Sequence, residues 1–196
     1  MIKRGSFLVF LSIILNTAMG HENHRLEVGD ILLQPLDCWS CDLIEAEENS
    51  IYSHIGIYIG SDQVLEAYGK VQIVSLKKFL SKTESGQRVK ARRPIEKFSK
   101  ALVKQYAQRV DGYPYDAKFL WRNFRGDKEP LYCSELVFKA LKSAGLIGRL
   151  APKKMHFDIN THLWERFFKG PPPHGQLGIS PEDFNQSEDF YDVFEL

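Results

Sequence analysis

Long hydrophobic runs are scarce in this 196-residue chain. The only marked one, Phe7 to Leu15, is short for a bilayer span, which takes about 20 apolar residues. It follows Lys3 and Arg4 and precedes the small residues of Ala18-Met19-Gly20. "MIKRGSFLVFLSIILNTAMG" therefore reads as a secretory signal peptide over residues 1–20. No cysteine follows the expected cut, which argues against an N-terminal lipid anchor, and no later segment has the character of a membrane span. The expectation is an exported protein, periplasmic or secreted, with one soluble domain over residues 21–196.

A strong charge of one sign is also missing. There are 26 Lys and Arg against 25 Asp and Glu, a formal net charge of +1. Loss of residues 1–20 removes two basic residues and no acidic ones, leaving −1. That balance speaks against a general nucleic-acid binder. Repeats and low-complexity tracts are absent, which excludes solenoid and disordered classes. What remains is globular composition, 43% hydrophobic and 26% charged, long enough for a sizeable core. The charge is unevenly spread, with basic residues crowding Lys77 to Lys104 and acidic ones crowding Glu182 to Glu195. Such runs are usually solvated faces; the other reading is attraction to anionic envelope polymers or lipid headgroups.

Cysteine is rare too, and each of the three carries information. Cys38 and Cys41, in "CWSC", are close enough to pair or to exchange disulfides. Cys133 is then left over, and an odd thiol in an exported protein suggests reactivity or intermolecular pairing. It opens "CSELVFKAL", whose residues Cys133, Leu136, Val137, Ala140 and Leu141 fall on one helical face. A buried cysteine is ordinarily a small hydrophobe. At the first turn of a helix, however, the free N–H groups and the dipole favour the thiolate.

A nucleophilic cysteine needs a base, and the base needs a group to orient it. Of six histidines, His21 and His24 lie in the N-terminal arm, and His156, His162 and His174 come late around loops and a short helix. His54 stands apart. In "HIGIYIG" the alternation places Ile55, Ile57 and Ile59 on a core face, and His54, Gly56, Tyr58 and Gly60 on the other. The glycines there are expected to leave open space, as glycine within a strand often does for a ligand or a neighbouring backbone. Gly60-Ser61-Asp62 marks a turn, and the return strand "QVLEAY" carries Glu66 back toward His54. Buried alone, a carboxylate in so apolar a strand would be costly. Further strands are expected in "GDILLQP", "VQIVSL" and "RVKARRP", and helices in "CDLIEAEEN", "LKKFLSK", "KALVKQYAQRV" (capped by Ser99) and "THLWERFF". Strands lead and the longer helices follow, so the class is α+β with a mainly antiparallel sheet.

The ordered set "GDILLQP", "YSHIGIYIG", "VLEAYGKV", "GYPYDAKF" and "YCSELVFKAL" resembles the YiiX/YebB group of permuted papain-like cysteine hydrolases, relatives of NlpC-type cell-wall peptidases. The likeness runs from Gly29 to about Gly145, and "ISPEDF" resembles the family's closing motif. It implies a permuted papain-like fold in which the sheet packs against a nucleophile-bearing helix. By the same resemblance Cys133 is the nucleophile, His54 the general base and Glu66 its orienting partner. Tyr132 and the Cys133 backbone N–H are candidates for holding an oxyanion. Asp116, in "YPYDAKF", is either a substrate contact or a turn cap. No cofactor and no metal are implied. "CWSC" departs from the family pattern.

Three functions compete. The leading one is an exported thiol hydrolase that cleaves an amide bond (peptide, peptidoglycan stem or amino-acid amide) through an acyl-enzyme on Cys133. The second is a lipid-directed acyltransferase, or a lipid-amide or ester hydrolase, on the same scaffold. A long apolar cleft would favour acyl chains, and a short polar cleft with an acidic anchor would favour amines. Glycines and tyrosines around His54, with Glu66 or Asp116 free to bind an amine, tilt the expectation toward a peptide-type amide. The third is a non-catalytic module stabilised by a metal on Cys38, Cys41 and His54, an incomplete ligand set.

Overall fold

The computed structural model describes residues 25–121, 126–146 and 148–196. The signal-peptide reading of residues 1–20, with His21 and His24, lies outside them. In chain order the elements are β1 (Ile31–Gln34), α1 (Trp39–Glu48), β2 (His54–Gly60), β3 (Gln63–Tyr68), β4 (Lys70–Ser75), α2 (Leu76–Leu80) and β5 (Lys90–Pro94). There follow α3 (Lys100–Val110), α4 (Cys133–Ser143), β6 (Lys153–Lys154), α5 (Thr161–Phe168), β7 (Leu177–Gly178), α6 (Pro181–Gln186) and β8 (Phe190–Glu195). Strands β4-β3-β2-β1-β5-β8 form one antiparallel sheet, and β6 and β7 a short ribbon. No helix among the described residues is long and apolar enough to cross a membrane.

The period-2 pattern of β2 does what it predicts on one face. Ile55, Ile57 and Ile59 join Leu65 and Ala67 in the main core, which the apolar stripe of α4 (Leu136, Val137, Ala140, Leu141) closes from above. The other face departs from expectation. Instead of open space it carries a second core of Leu32, Tyr58, Val64, Val74, Phe79, Val89 and Ala91. A Cβ on Gly56 would lie 2.7 Å from Val64 Cγ1 and 2.8 Å from Phe79 Cε2. Glycine is needed there because α2 lays Phe79 across the strand, so Gly56 makes room for packing and not for a ligand.

The two charge runs turn out to face each other. β5 lies in the basic run and β8 in the acidic tail, and they pair from Lys90↔Glu195 to Pro94↔Phe190. Arg92 is buried between them, donating to Asp192 Oδ1 at 2.7 Å and to the carbonyls of Phe184, Asn185, Ser187 and Phe190. Arg93 forms a fork on Asp30 at 2.7 and 2.8 Å. Part of the basic run is thus structural, although Lys77, Lys78, Arg88, Lys97, Lys100 and Lys104 are exposed.

Candidate active site

Cys133 is the first residue of α4, preceded by Tyr132 in extended conformation, and no side chain caps the helix. A helix start of this kind favours negative charge at Cys133. The thiol is buried at the base of a cleft. Its position is fixed by both neighbours. The Tyr132 hydroxyl accepts from Ile179 N at 3.1 Å, and Ser134 Oγ donates to Ile179 O at 2.6 Å. Ile179 opens "ISPEDF", where Ser180 and Asp183 form a capping box for α6. The motif's structural work is to clamp the start of α4, and with it Cys133.

The hairpin register pairs Gly56 with Glu66, which sets Glu66 diagonally across from His54. His54 Nε2 and Glu66 Oε2 are 2.9 Å apart, and both residues are buried. A carboxylate can only accept, so Nε2 carries the hydrogen and the other ring nitrogen is left to Cys133, which hydrogen-bonds the imidazole. Burial disfavours the imidazolium, but the bonds to Cys133 and Glu66 outweigh it, and the His54 pKa is raised above its ordinary 6.5. Burial likewise opposes the Glu66 carboxylate, yet His54 and Lys82 hold its pKa below the ordinary 4.5.

Lys82 was not legible as a site residue. It sits in the basic run, but its ammonium donates to Glu66 Oε2, the oxygen that His54 uses, and lies 4.5 Å from the Tyr68 ring centroid and 5.2 Å from that of Phe79. Gln72 Nε2 donates to the other oxygen, Oε1, at 3.1 Å. Glu66 therefore has no oxygen free for a substrate amine.

Asp116 is also committed. It accepts from Lys118 N at 2.9 Å and Leu120 N at 2.8 Å, which is the turn-cap alternative. Its neighbour Tyr115 is the residue that reaches the site. A parallel bridge between Tyr115 and Leu131 carries it beside Cys133, where it lines the cleft. Burial first, and then the charge a thiolate would place beside it, push the Tyr115 hydroxyl well above its ordinary 10.0, so it remains a donor at neutral pH. Burial does the same to Tyr132.

The cleft over Cys133 is narrow, with a cavity volume of about 60 Å³. Ile44, Tyr115, Phe119, Tyr132, Met155, Phe157, Trp164 and Ile179 give it a mainly apolar, aromatic lining, with Glu47, Glu48, Lys153, His156 and Asp183 around it. Lys153 bonds Asp183 at 2.6 Å and lies 3.8 Å from Glu48.

Cys38 and Cys41 form a disulfide at the start of α1, and His54 is engaged by Glu66 and Cys133. The metal set of Cys38, Cys41 and His54 is thereby overturned: its two sulfurs are bonded to each other, and its imidazole is buried in another network. Among the described residues, the donors that converge closely enough for a metal are His156, Asp158 and His174.

The comparisons agree with this geometry. No curated protein matches the chain. A solved structure described as that of the metalloprotein YiiX from Escherichia coli O157:H7 is similar at 28% identity and a TM-score of 0.72, covering 87% of this chain and 97% of its own. The model of the permuted papain-like amidase enzymes, the YaeF/YiiX or C92 family, matches residues 25–194. With an α+β fold of that permuted papain-like kind and nearly the whole described chain within the match, this protein belongs to the permuted papain-like cysteine amidase family of YaeF and YiiX.

Proposed function

We propose that this chain hydrolyses an amide bond with an apolar acyl side, through a thioester on Cys133. One observation carries the reading: a helix-start thiol, an imidazole that it influences and a carboxylate bonded to that imidazole meet in a buried setting, with His54 and Glu66 2.9 Å apart. The Cys133 sulfur attacks the carbonyl carbon as His54 takes the thiol proton. The oxyanion draws on the first-turn N–H groups of α4 and on the Tyr115 hydroxyl. His54 then gives its proton to the leaving amine as the C–N bond breaks. A water, deprotonated by His54, hydrolyses the thioester and restores the thiol. Glu66 holds the imidazole in the required tautomer throughout.

The lining speaks for an apolar acyl group. The two carboxylates expected to anchor an amine, Glu66 and Asp116, are both occupied. Burial raises the pKa of Glu48, and Lys153 shares its charge. The same lining favours, as a second reading, transfer or hydrolysis of lipid acyl groups on this scaffold. The Cys38–Cys41 disulfide supports an oxidising, exported location, consistent with a signal peptide over residues 1–20. The relative is called a metalloprotein; here the donors for such an ion would be His156, Asp158 and His174, and no step above passes through it.

The test offers the purified protein muropeptides, lysine-amide compounds, and acyl-chain amides and esters side by side, with Cys133→Ala as control. Turnover of the apolar acyl amides that disappears in Cys133→Ala is expected. Turnover confined to muropeptides or lysine amides would overturn the acyl preference. No Cys133-dependent turnover on any compound would overturn the hydrolase reading.

A further inference from the structure

We propose that His156, Asp158 and His174 form a binding site for one divalent transition-metal ion of the zinc type, at the rim of the cleft and separate from the thiol chemistry. The donor atoms of all three lie within 4.8 Å of one another. His156 Nδ1 and His174 Nδ1 each stand 3.7 Å from Asp158, one at Oδ2 and the other at Oδ1. At that separation neither contact is a hydrogen bond. Two imidazoles thus converge on the two oxygens of one carboxylate without bonding it, leaving a gap between donors.

The backbone explains why they meet. The β6–β7 ribbon pairs Lys153 with Gly178 and Lys154 with Leu177, and it continues through Met155 N to Gln176 O and Gly175 N to Met155 O, both 2.8 Å. His156 follows Met155 and His174 precedes Gly175, so the ribbon sets the two histidines opposite each other. Their rings sit edge to face with centroids 5.1 Å apart. Asp158 is fixed from another direction. Glu47, on α1, accepts from Asp158 N and Ile159 N at 2.9 Å each and from Trp164 Nε1 at 3.2 Å. All three ligand positions are therefore tied down by bonds that do not involve the ligand atoms.

The chemistry of the set selects the ion. Two imidazole nitrogens and one carboxylate oxygen suit zinc and its neighbours better than calcium or magnesium, which take oxygen. Metal–ligand distances of about 2.0–2.2 Å need donors roughly 3–4 Å apart. Because all three side chains are exposed, small rotations can supply that contraction. Three protein ligands leave positions open for water or an anionic group of a bound molecule. His156 lines the cleft above Cys133, so the ion would tie together two of its walls, the ribbon and the turn before α5.

The experiment is a calorimetric titration of the full chain with Zn²⁺, in a Cys133→Ala background so that the thiol cannot compete. One ion per chain is expected, together with a rise in melting temperature. Co²⁺ in its place should give visible absorption bands. His156→Ala and His174→Ala should each weaken binding by about 100-fold or more, since losing outer-shell partners alone weakens metal sites 10–100-fold. Asp158→Asn should weaken it as well, and His162→Ala on α5 should leave it unchanged. All three ligands are exposed, so these variants should keep the apo melting temperature, which checks that they fold. Absence of Zn²⁺ binding would overturn the proposal. So would unchanged affinity and stoichiometry in the His156→Ala/His174→Ala double variant, which would place the ion elsewhere, for instance on His21 and His24. Because the thiol is absent throughout, neither result bears on the amidase reading.

Discussion

Replacing Glu66 with Gln isolates the charge behind His54. The amide keeps the shape of the carboxylate. Its oxygen can take the place of Oε2 and go on accepting from His54 and Lys82, while its NH₂ donates to Gln72 once that side chain turns over. What disappears is one negative charge about 4 Å from the imidazolium that forms in the reaction, worth about 4 kcal/mol at an effective dielectric of about 20. The rate constant of acylation should therefore fall by roughly 10³-fold. Lys82 makes the deficit recoverable. It shares Oε2 with His54 and so sits about 5 Å from the ring, where its uncompensated charge would disfavour the imidazolium by about 3 kcal/mol. Removing it in Glu66→Gln/Lys82→Met should return at least about tenfold of the lost rate, allowing for screening through its 19% exposure.

Stability should follow the same logic. Glu66→Gln leaves the Lys82 ammonium against the Tyr68 and Phe79 rings without its counter-ion, a loss of about 1–3 kcal/mol for a lysine that can still reach water. At about 2–4 °C per kcal/mol the melting temperature should fall by several degrees and recover in the double variant. The assay is single-turnover acylation beside thermal unfolding. A folded Glu66→Gln protein within about threefold of the parent rate would refute the role given to Glu66. A double variant slower than Glu66→Gln would refute the electrostatic reasoning.

The melting temperature should also depend on pH in a defined window. The raised His54 pKa contributes stability that is complete below 6.5 and lost as pH rises through the folded value; the lowered Glu66 pKa contributes stability that is complete above 4.5 and lost as pH falls through its own. The pair's contribution is whole between those values, so unfolding at pH 6 should occur at higher temperature than at pH 9, and His54→Gln should flatten that difference; an unchanged difference would remove His54 as its source. Tyr115→Phe should lower kcat by about 10²-fold with little change in KM, measured on the best acyl amide, because it removes an oxyanion donor and leaves the ring lining intact. Cys38→Ser/Cys41→Ser should keep most activity and nearly the parent melting temperature. The disulfide closes a very small loop, and serine at 38 can replace the sulfur that now accepts from Cys41 N at 3.2 Å; an activity loss like that of Cys133→Ala would show that the bridge takes part in the chemistry.

The residues of the proposed site that could be read from sequence are those whose elements carry their own local signature. His54 and Glu66 belong to one hairpin, where alternation fixes the face and a tight turn fixes the approximate register; Cys133 begins a helix whose stripe defines its own start. Lys82 could not be read this way. Its partner lies on another element, and its place in a basic run gave the signature of a solvated charge. The same holds for the tail: β8 is an edge strand whose charged residues conceal the alternation, and only the buried Arg92, bonded to the carbonyls of Phe184 and Phe190 and to Asp192, shows how the basic and acidic runs are joined. Tyr115 was hidden because a bridge between two loops, not an element, carries it to Cys133.

"ISPEDF" shows the limit from the other side, since it is recognisable as a motif while its work is invisible in the sequence. Its first residue lines the cleft and also gives the clamp its backbone, one N–H and one C=O, both taken by the side chains that flank Cys133, Tyr132 and Ser134. A pair of opposed bonds on either side of Cys133 restrains rotation of the first turn of α4 about its axis, which the apolar stripe further along the helix does less well because side-chain packing tolerates small slips. In the proposed mechanism Cys133 must keep its place against an imidazole fixed on a different element, so a small rotation would separate it from His54 and Glu66. The capping box then anchors the motif itself: Ser180 and Asp183 fix the start of α6, and Glu182 reaches back to Ser50 in the loop before β2. The clamp thus joins the cysteine helix to the loop that leads into the histidine strand, and the alignment of Cys133 with His54 depends on a segment nearly fifty residues beyond the thiol that contributes no side chain to the chemistry.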